Sequence, residues 1–122
     1  MRIVIADDNS GIRRFLRRYL ERRDHDCVEA ESVAALVRAC ALQCPDLVIS
    51  DVSMGDGDGI ETCLKLLRGY QGLSVIIMTG DGENAARADD AGFEEVLAKP
   101  IDFGRLDSAL KRVLAKRSDE RI

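Results

Sequence analysis

The chain has no tryptophan, and its 122 residues include only two tyrosines and three phenylalanines. A hydrophobic core must therefore be built from Val, Ile, Leu and Ala. No large excess of positive charge is present either: the formal net charge of −4 argues against non-specific nucleic-acid binding by the whole domain. No apolar run approaches the length of a membrane span. The first residues, Met1 to Ala6, run straight into Asp7 and Asp8, which excludes a secretory signal and points to a cytoplasmic location. The four cysteines (Cys27, Cys40, Cys44, Cys63) form no CxxC pair, and His25 is the sole histidine, so neither a disulfide framework nor a zinc site is expected. Buried free thiols are the expectation, and His25 is expected in a surface turn.

What is present is a globular balance, 46% hydrophobic and 33% charged, in a length that suits one domain. Short apolar runs alternate with stretches of helical period. Ile3 to Ala6, Cys27 to Ala30, Leu47 to Ser50, Val75 to Met78 and Val96 to Ala98 read as strands, most of them buried on both faces. Between them, Ile12, Phe15, Leu16, Tyr19 and Leu20 mark one stripe of a helix that Asn9 or Ser10 caps. Further helices are expected on Val33, Leu36, Val37 and Cys40 after a Ser32 cap, and on Ile60, Cys63, Leu64 and Leu67. Another is expected over 83–91, weakly apolar, and a last one carries Phe103, Leu106, Leu110, Val113 and Leu114. Gly55 to Gly59 reads as a loop, loosened by Gly55, Gly57 and Gly59. The polar tail over 117–122 is expected to fray, leaving a core of about residues 2–116 in a single domain spanning 1–122. Five strand–helix units imply an α/β fold, a doubly wound parallel sheet with helices on both faces.

Ligands of an open parallel sheet bind beyond the carboxyl ends of its strands. Those ends here carry Asp7, Asp8, Asp51, Thr79 and Lys99. Two carboxylates about 4 Å apart repel by roughly 4 kcal/mol at an effective dielectric near 20. A hard dication with oxygen ligands relieves that repulsion, and Mg²⁺ suits one or two carboxylates plus waters and a phosphate. Three acids are balanced by Mg²⁺ and Lys99. Such a site is built to receive phosphate oxygens beside a carboxylate nucleophile.

With those residues in view, the sequence resembles the receiver domain of two-component response regulators. Asp7-Asp8, Asp51 with Met54 and Gly59, Thr79-Gly80, Ala91-Gly92 and Lys99-Pro100 carry the likeness. It implies the flavodoxin-like (βα)5 strand order 2-1-3-4-5. It also implies that Asp51 accepts a phosphoryl group from a phosphohistidine of a histidine kinase or phosphotransfer protein. Asp8 would ligate Mg²⁺ directly, Asp7 through water, and the Ser53 carbonyl would add a ligand. Thr79 and Lys99 would bind phosphoryl oxygens, with Lys99 aimed by a cis peptide before Pro100. The chain would be an autocatalytic phosphoacceptor with self-dephosphorylation, not a turnover enzyme, and would signal by shifting helix 83–91 and the fifth-strand face toward an output protein. Asp81 and Ser53 would tune water access to the acyl phosphate. Two positions depart from the family pattern: Gly55 replaces a proline, and Val96 stands where an aromatic switch residue is usual.

Several other features bear on function. Arg13, Arg14, Arg17, Arg18, Arg22 and Arg23 form either a solvated basic face or a docking surface for an acidic helical bundle of the phosphodonor. The run Asp56 to Gly59 fails as a calcium loop, because Ile60 and Leu67 stand where ligands are needed. An aspartyl-phosphate phosphohydrolase would need two acids spaced by two after the first strand, and a flavin domain would need a hydroxyl-rich phosphate loop there. Asp7-Asp8-Asn9-Ser10 supplies neither.

Overall fold

A computed structural model describes residues 1–120, with the side chains of 119 and 120 excepted. Five parallel strands form the sheet: β1 (Arg2–Ala6), β2 (Asp26–Ala30), β3 (Leu47–Asp51), β6 (Ser74–Thr79) and β7 (Val96–Ala98). A two-residue antiparallel ladder, β4 (Ser53–Met54) with β5 (Gly57–Asp58), precedes the helix after β3. The sheet order β2-β1-β3-β6-β7 is the expected 2-1-3-4-5 once that small ladder is set aside. The helices are α1 (Ser10–Glu21), α2 (Val33–Gln43), α3 (Gly59–Gly69), α4 (Gly82–Asp90) and α5 (Phe103–Glu120).

Alternation along the strands divides the core. Ile3, Ile5, Leu47, Ile49, Ile76 and Met78 face α1 and α5, where they meet Leu16, Leu20, Leu106 and Leu110. Val4, Ala6, Val48, Val75 and Ile77 face α2, α3 and α4. The central strands are covered on both sides, which is why they read as continuous apolar runs.

Helix starts follow local capping chemistry. Asn9 Oδ1 accepts from the Ile12 amide at 3.1 Å, so Asn9 rather than Ser10 caps α1. Ser32 Oγ accepts from Ala35 at 3.0 Å and opens α2, which ends at Cys44 in the left-handed region before Pro45.

Four expectations are corrected. The segment 55–59 is not loose, because β4 pairs with β5 and Asp56 reaches across to α2. Its two carboxylate oxygens accept the Val33 and Ala34 amides at 2.8 and 3.1 Å. The polar tail does not fray from 117: α5 runs on to Glu120, and Arg117 donates to the Gly72 carbonyl at 2.7 Å and to Asp46 Oδ1 at 2.7 Å. Residues 121 and 122 lie outside the described residues. Phe15 is 61% exposed and Val37, Leu67 and Leu114 are also exposed, so the apolar stripes are wider than the faces that pack. Cys27, Cys40 and Cys63 are buried as expected, but Cys44 is exposed. Burial pushes the Cys27 and Cys40 thiols up to about 11 and that of Cys63 up to about 12, leaving them unreactive. His25 is half-buried, its Nδ1 3.0 Å from the Met1 ammonium.

Candidate functional site

The carboxyl ends of β1, β3, β6 and β7 converge on one rim. β1 ends where the Asp7 amide makes its last sheet bond, to the Ala30 carbonyl at 3.1 Å. Asn9 then turns the chain into α1, and its own amide donates to Asp7 Oδ1 at 2.9 Å. These bonds seal the Asp7 side chain inside the protein, 1% exposed, while Asp8 stays in solvent. Asp51 closes β3, half-buried. Carboxylate oxygens of Asp7, Asp8 and Asp51 lie within 4.8 Å of one another, the one such acid cluster among the described residues.

Lys99 follows β7, and its amide donates to the Thr79 carbonyl at 2.9 Å, which holds the two strand ends in step. The Lys99–Pro100 peptide is cis, in line with the resemblance. Lys99 Nζ sits 2.6 Å from Asp7 Oδ2 and 3.2 Å from Asp51 Oδ2, bridging the acids. Burial alone would depress the Lys99 ammonium, but its bonds to Asp7 and Asp51 outweigh burial and raise it. Burial pushes the Asp51 carboxyl up, Lys99 draws it back, and the Asp7 charge adds to the rise.

Thr79, at the end of β6, is buried, and its hydroxyl oxygen accepts the Asp81 amide at 3.1 Å. Asp81 in turn caps α4, with Oδ1 accepting the Glu83 amide at 2.9 Å. Ser53 lies two residues past Asp51, exposed, at the start of β4. The structure thus brings together Asp7, Asp8, Asp51 and Lys99. It sets Thr79 on the neighbouring strand end, where its hydroxyl is engaged by the Asp81 turn.

Sequence reading missed the structural part played by three residues, although Gly59 is among those that carry the family resemblance. Gly59 begins α3 pressed against the Asp51 backbone, where a Cβ would lie 3.1 Å from the carbonyl carbon and closer still to its oxygen. Asp58 caps α3, with Oδ1 accepting the Ile60 amide at 2.8 Å, and its Oδ2 also takes Arg87 Nη2 at 2.6 Å. Arg13, expected on the basic face, turns inward, and its Nη1 donates to the Asp7 carbonyl at 2.6 Å. Asp58 and Gly59 carried a weak signal in the Asp-Gly run, whereas Arg13 was hidden among neighbouring arginines.

Comparison with known proteins agrees with this geometry. Residues 3–111 match the model of the response regulator receiver domain. The chain belongs to that family. This receiver domain is 36% identical over 118 residues to the KDP operon transcriptional regulatory protein KdpE of Escherichia coli (strain K12), covering 95% of the chain and 52% of that protein. It is 32% identical over 119 residues to the transcriptional regulatory protein ResD of Bacillus subtilis (strain 168), covering 96% of the chain and 49% of that protein. The receiver domain therefore spans about half the length of these two relatives. Among solved structures, a response regulator receiver domain protein from Clostridium thermocellum superimposes with a TM-score of 0.87 at 27% identity, covering 96% of each chain. Receiver domains of response regulators are phosphorylation-dependent switches, and this one carries the acid cluster that could hold a metal ion. No helix among the described residues is long and apolar enough to cross a membrane.

Proposed function

We propose that Asp51 is the phosphoacceptor of this switch and that a phosphohistidine on a histidine kinase or histidine phosphotransfer protein is the donor. An Asp51 carboxylate oxygen attacks phosphorus, the P–N bond breaks, and the imidazole leaves and takes up a proton. The product is an aspartyl phosphate, which water later hydrolyses within the same domain, so the chain is a phosphoacceptor and not a turnover enzyme. The observation that carries this reading is the Asp51 carboxylate beside Asp7, Asp8 and Lys99, with an oxygen 3.2 Å from the Lys99 ammonium.

Mg²⁺ fits the donor set, because three hard carboxylates share one rim and one ammonium does not neutralise them. Asp7, Asp8, Asp51 and the Ser53 carbonyl would hold it, and it would neutralise charge on the transferring phosphoryl oxygens. Lys99 is within reach of an oxygen on phosphorylated Asp51. The Thr79 hydroxyl would turn toward another phosphoryl oxygen and carry the Asp81 cap of α4 with it. In this way the phosphate biases the 82–90 helix and the β7 face that an output protein reads.

The donor surface lies on α1. Ile12, the exposed Phe15, Pro100 and Ile101 line an apolar groove of about 440 Å³ that reaches Lys99. Arg14 and Arg18, on the same helix, are exposed to solvent and suited to an acidic helical bundle, whereas Arg13 and Arg17 are engaged with Glu29. Function in the cytoplasm accords with this chemistry.

Incubation with a small acyl phosphate and Mg²⁺, followed by intact mass, tests the reading. A phosphoryl adduct is expected on the wild type and absent from Asp51→Asn. No adduct on the wild type, or equal adducts on both, would overturn it.

A further inference from the structure

Arg13 sits among six arginines in the 13–23 stretch, yet it alone turns toward the acid cluster. Its side chain is 14% exposed. Nη1 donates to the backbone carbonyl of Asp7 at 2.6 Å, and Nε reaches Glu29 Oε1 at 3.3 Å. Glu29, on the edge strand β2, also accepts from Arg17 Nη1 at 3.4 Å, so the guanidinium of Arg13 is braced from outside.

The carbonyl that Arg13 grips belongs to the peptide joining Asp7 to Asp8. Asp7 is otherwise fixed by the Ala30 carbonyl, the Asn9 amide and Lys99. Asp8 has no comparable restraint, being exposed just past the strand. A peptide is planar, so orienting its carbonyl fixes the amide of the next residue and places the Cα from which that residue's side chain is carried. We propose that Arg13, braced by Glu29, is a positioning residue for the cation site: it sets the Asp7–Asp8 peptide so that Asp8 presents its carboxylate beside Asp7 and Asp51. The proposal rests on the reading that these acids hold a divalent cation.

Charge and geometry make opposite demands here, which gives the test its sign. A guanidinium near a cation site repels the cation, so an Arg13 that acted through charge alone would weaken binding and its removal would tighten it. A positioning Arg13 has the reverse effect. Partners that orient metal ligands typically change affinity by about 10- to 100-fold.

Mn²⁺ titration, followed by the electron paramagnetic resonance of the free ion, measures this without any turnover. Arg13→Gln is expected to raise the Mn²⁺ dissociation constant about tenfold. Arg13→Lys keeps the charge but not the forked donor that serves both the carbonyl and Glu29, so its loss is smaller yet present. Uptake from an acyl phosphate by Arg13→Gln would need more Mg²⁺ for half-saturation and recover toward the wild-type rate when Mg²⁺ saturates, a split that general misfolding would not give. Wild-type binding with an unchanged or tighter Arg13→Gln would overturn the role of Arg13 alone. Absence of Mn²⁺ binding by the wild type would overturn the cation reading and the role of Arg13 with it.

Discussion

Replacing Gly59 with alanine forces a choice between helix α3 and the strand end that carries Asp51. The added methyl would lie 3.1 Å from the Asp51 carbonyl carbon, 3.2 Å from Ser50 Oγ and deep inside the Asp51 carbonyl oxygen. Two of those atoms are backbone and cannot swing away. The same turn is pinned by the Gly59 amide, which donates to the Val52 carbonyl at 2.6 Å. Overpacking of this kind costs about 1–3 kcal/mol, and alanine in a helix returns about 0.5–1 kcal/mol relative to glycine. The net loss is then about 0.5–2 kcal/mol, a fall of several degrees in Tm for a domain of this size. The chemical cost is larger, because displacing a reacting group by about 1 Å can cost on the order of 100-fold in rate. Thermal melts by circular dichroism and phosphoryl uptake from an acyl phosphate read the two effects separately. Neighbouring glycines provide the contrast. A Cβ at Gly57 meets only the Val33 side chain at 3.3 Å, and one at Gly55 meets nothing within 4 Å. Gly55→Ala should therefore leave both measurements near wild type. If Gly59→Ala matched Gly55→Ala in melting and uptake, the argument from close approach would be refuted.

Lys99→Met leaves the sealed Asp7 carboxylate without its cation, and breaking such a pair costs up to about 3–5 kcal/mol. Added Mg²⁺ should restore more stability to this variant than it adds to the wild type, as melts with and without the ion will tell; equal increments would contradict the bridging role. Asp56→Ala removes the carboxylate that the Val33 and Ala34 amides hold below its ordinary 3.8. A lowered folded value means stability that is complete above the unfolded value and lost as pH falls through the folded one. The variant should lose stability at neutral pH and show a flatter acid limb in denaturant titrations, and an unchanged acid limb would count against the cap.

Much of the architecture was open to reading because the central strands are covered on both faces. Ile3 to Ala6, Leu47 to Ser50 and Val75 to Met78 could not be anything but interior, and their polar successors had to share a rim. Periodicity reports which side chains are apolar, not which partner they find, so it placed Phe15 and Leu114 on packed faces when they lie in solvent. Bonds between residues distant in sequence were invisible for the same reason. Arg117 extends α5 through the Asp46 side chain and the Gly72 carbonyl. Asp56, which looked like a fragment of a calcium loop, spends both oxygens on the first turn of α2. Arg13 was counted with its neighbours because charge runs read as one surface until a particular guanidinium is seen to leave it.

The contact between Arg87 and Asp58 bears on how easily the domain changes state. Helix α4 fully buries only Ala88, and its ion pair to the start of α3 is wet, the two side chains being 49% and 30% exposed. Pairs of that kind contribute little and weaken as salt screens them. So few apolar anchors leave that pair as one of the ties between α4 and the start of α3. The ring that usually reports from the fifth strand in the family is a valine here, and Asp58 lies one residue from the glycine that touches the Asp51 backbone, so added salt is expected to loosen α4 from the very turn on which the Asp51 strand end rests.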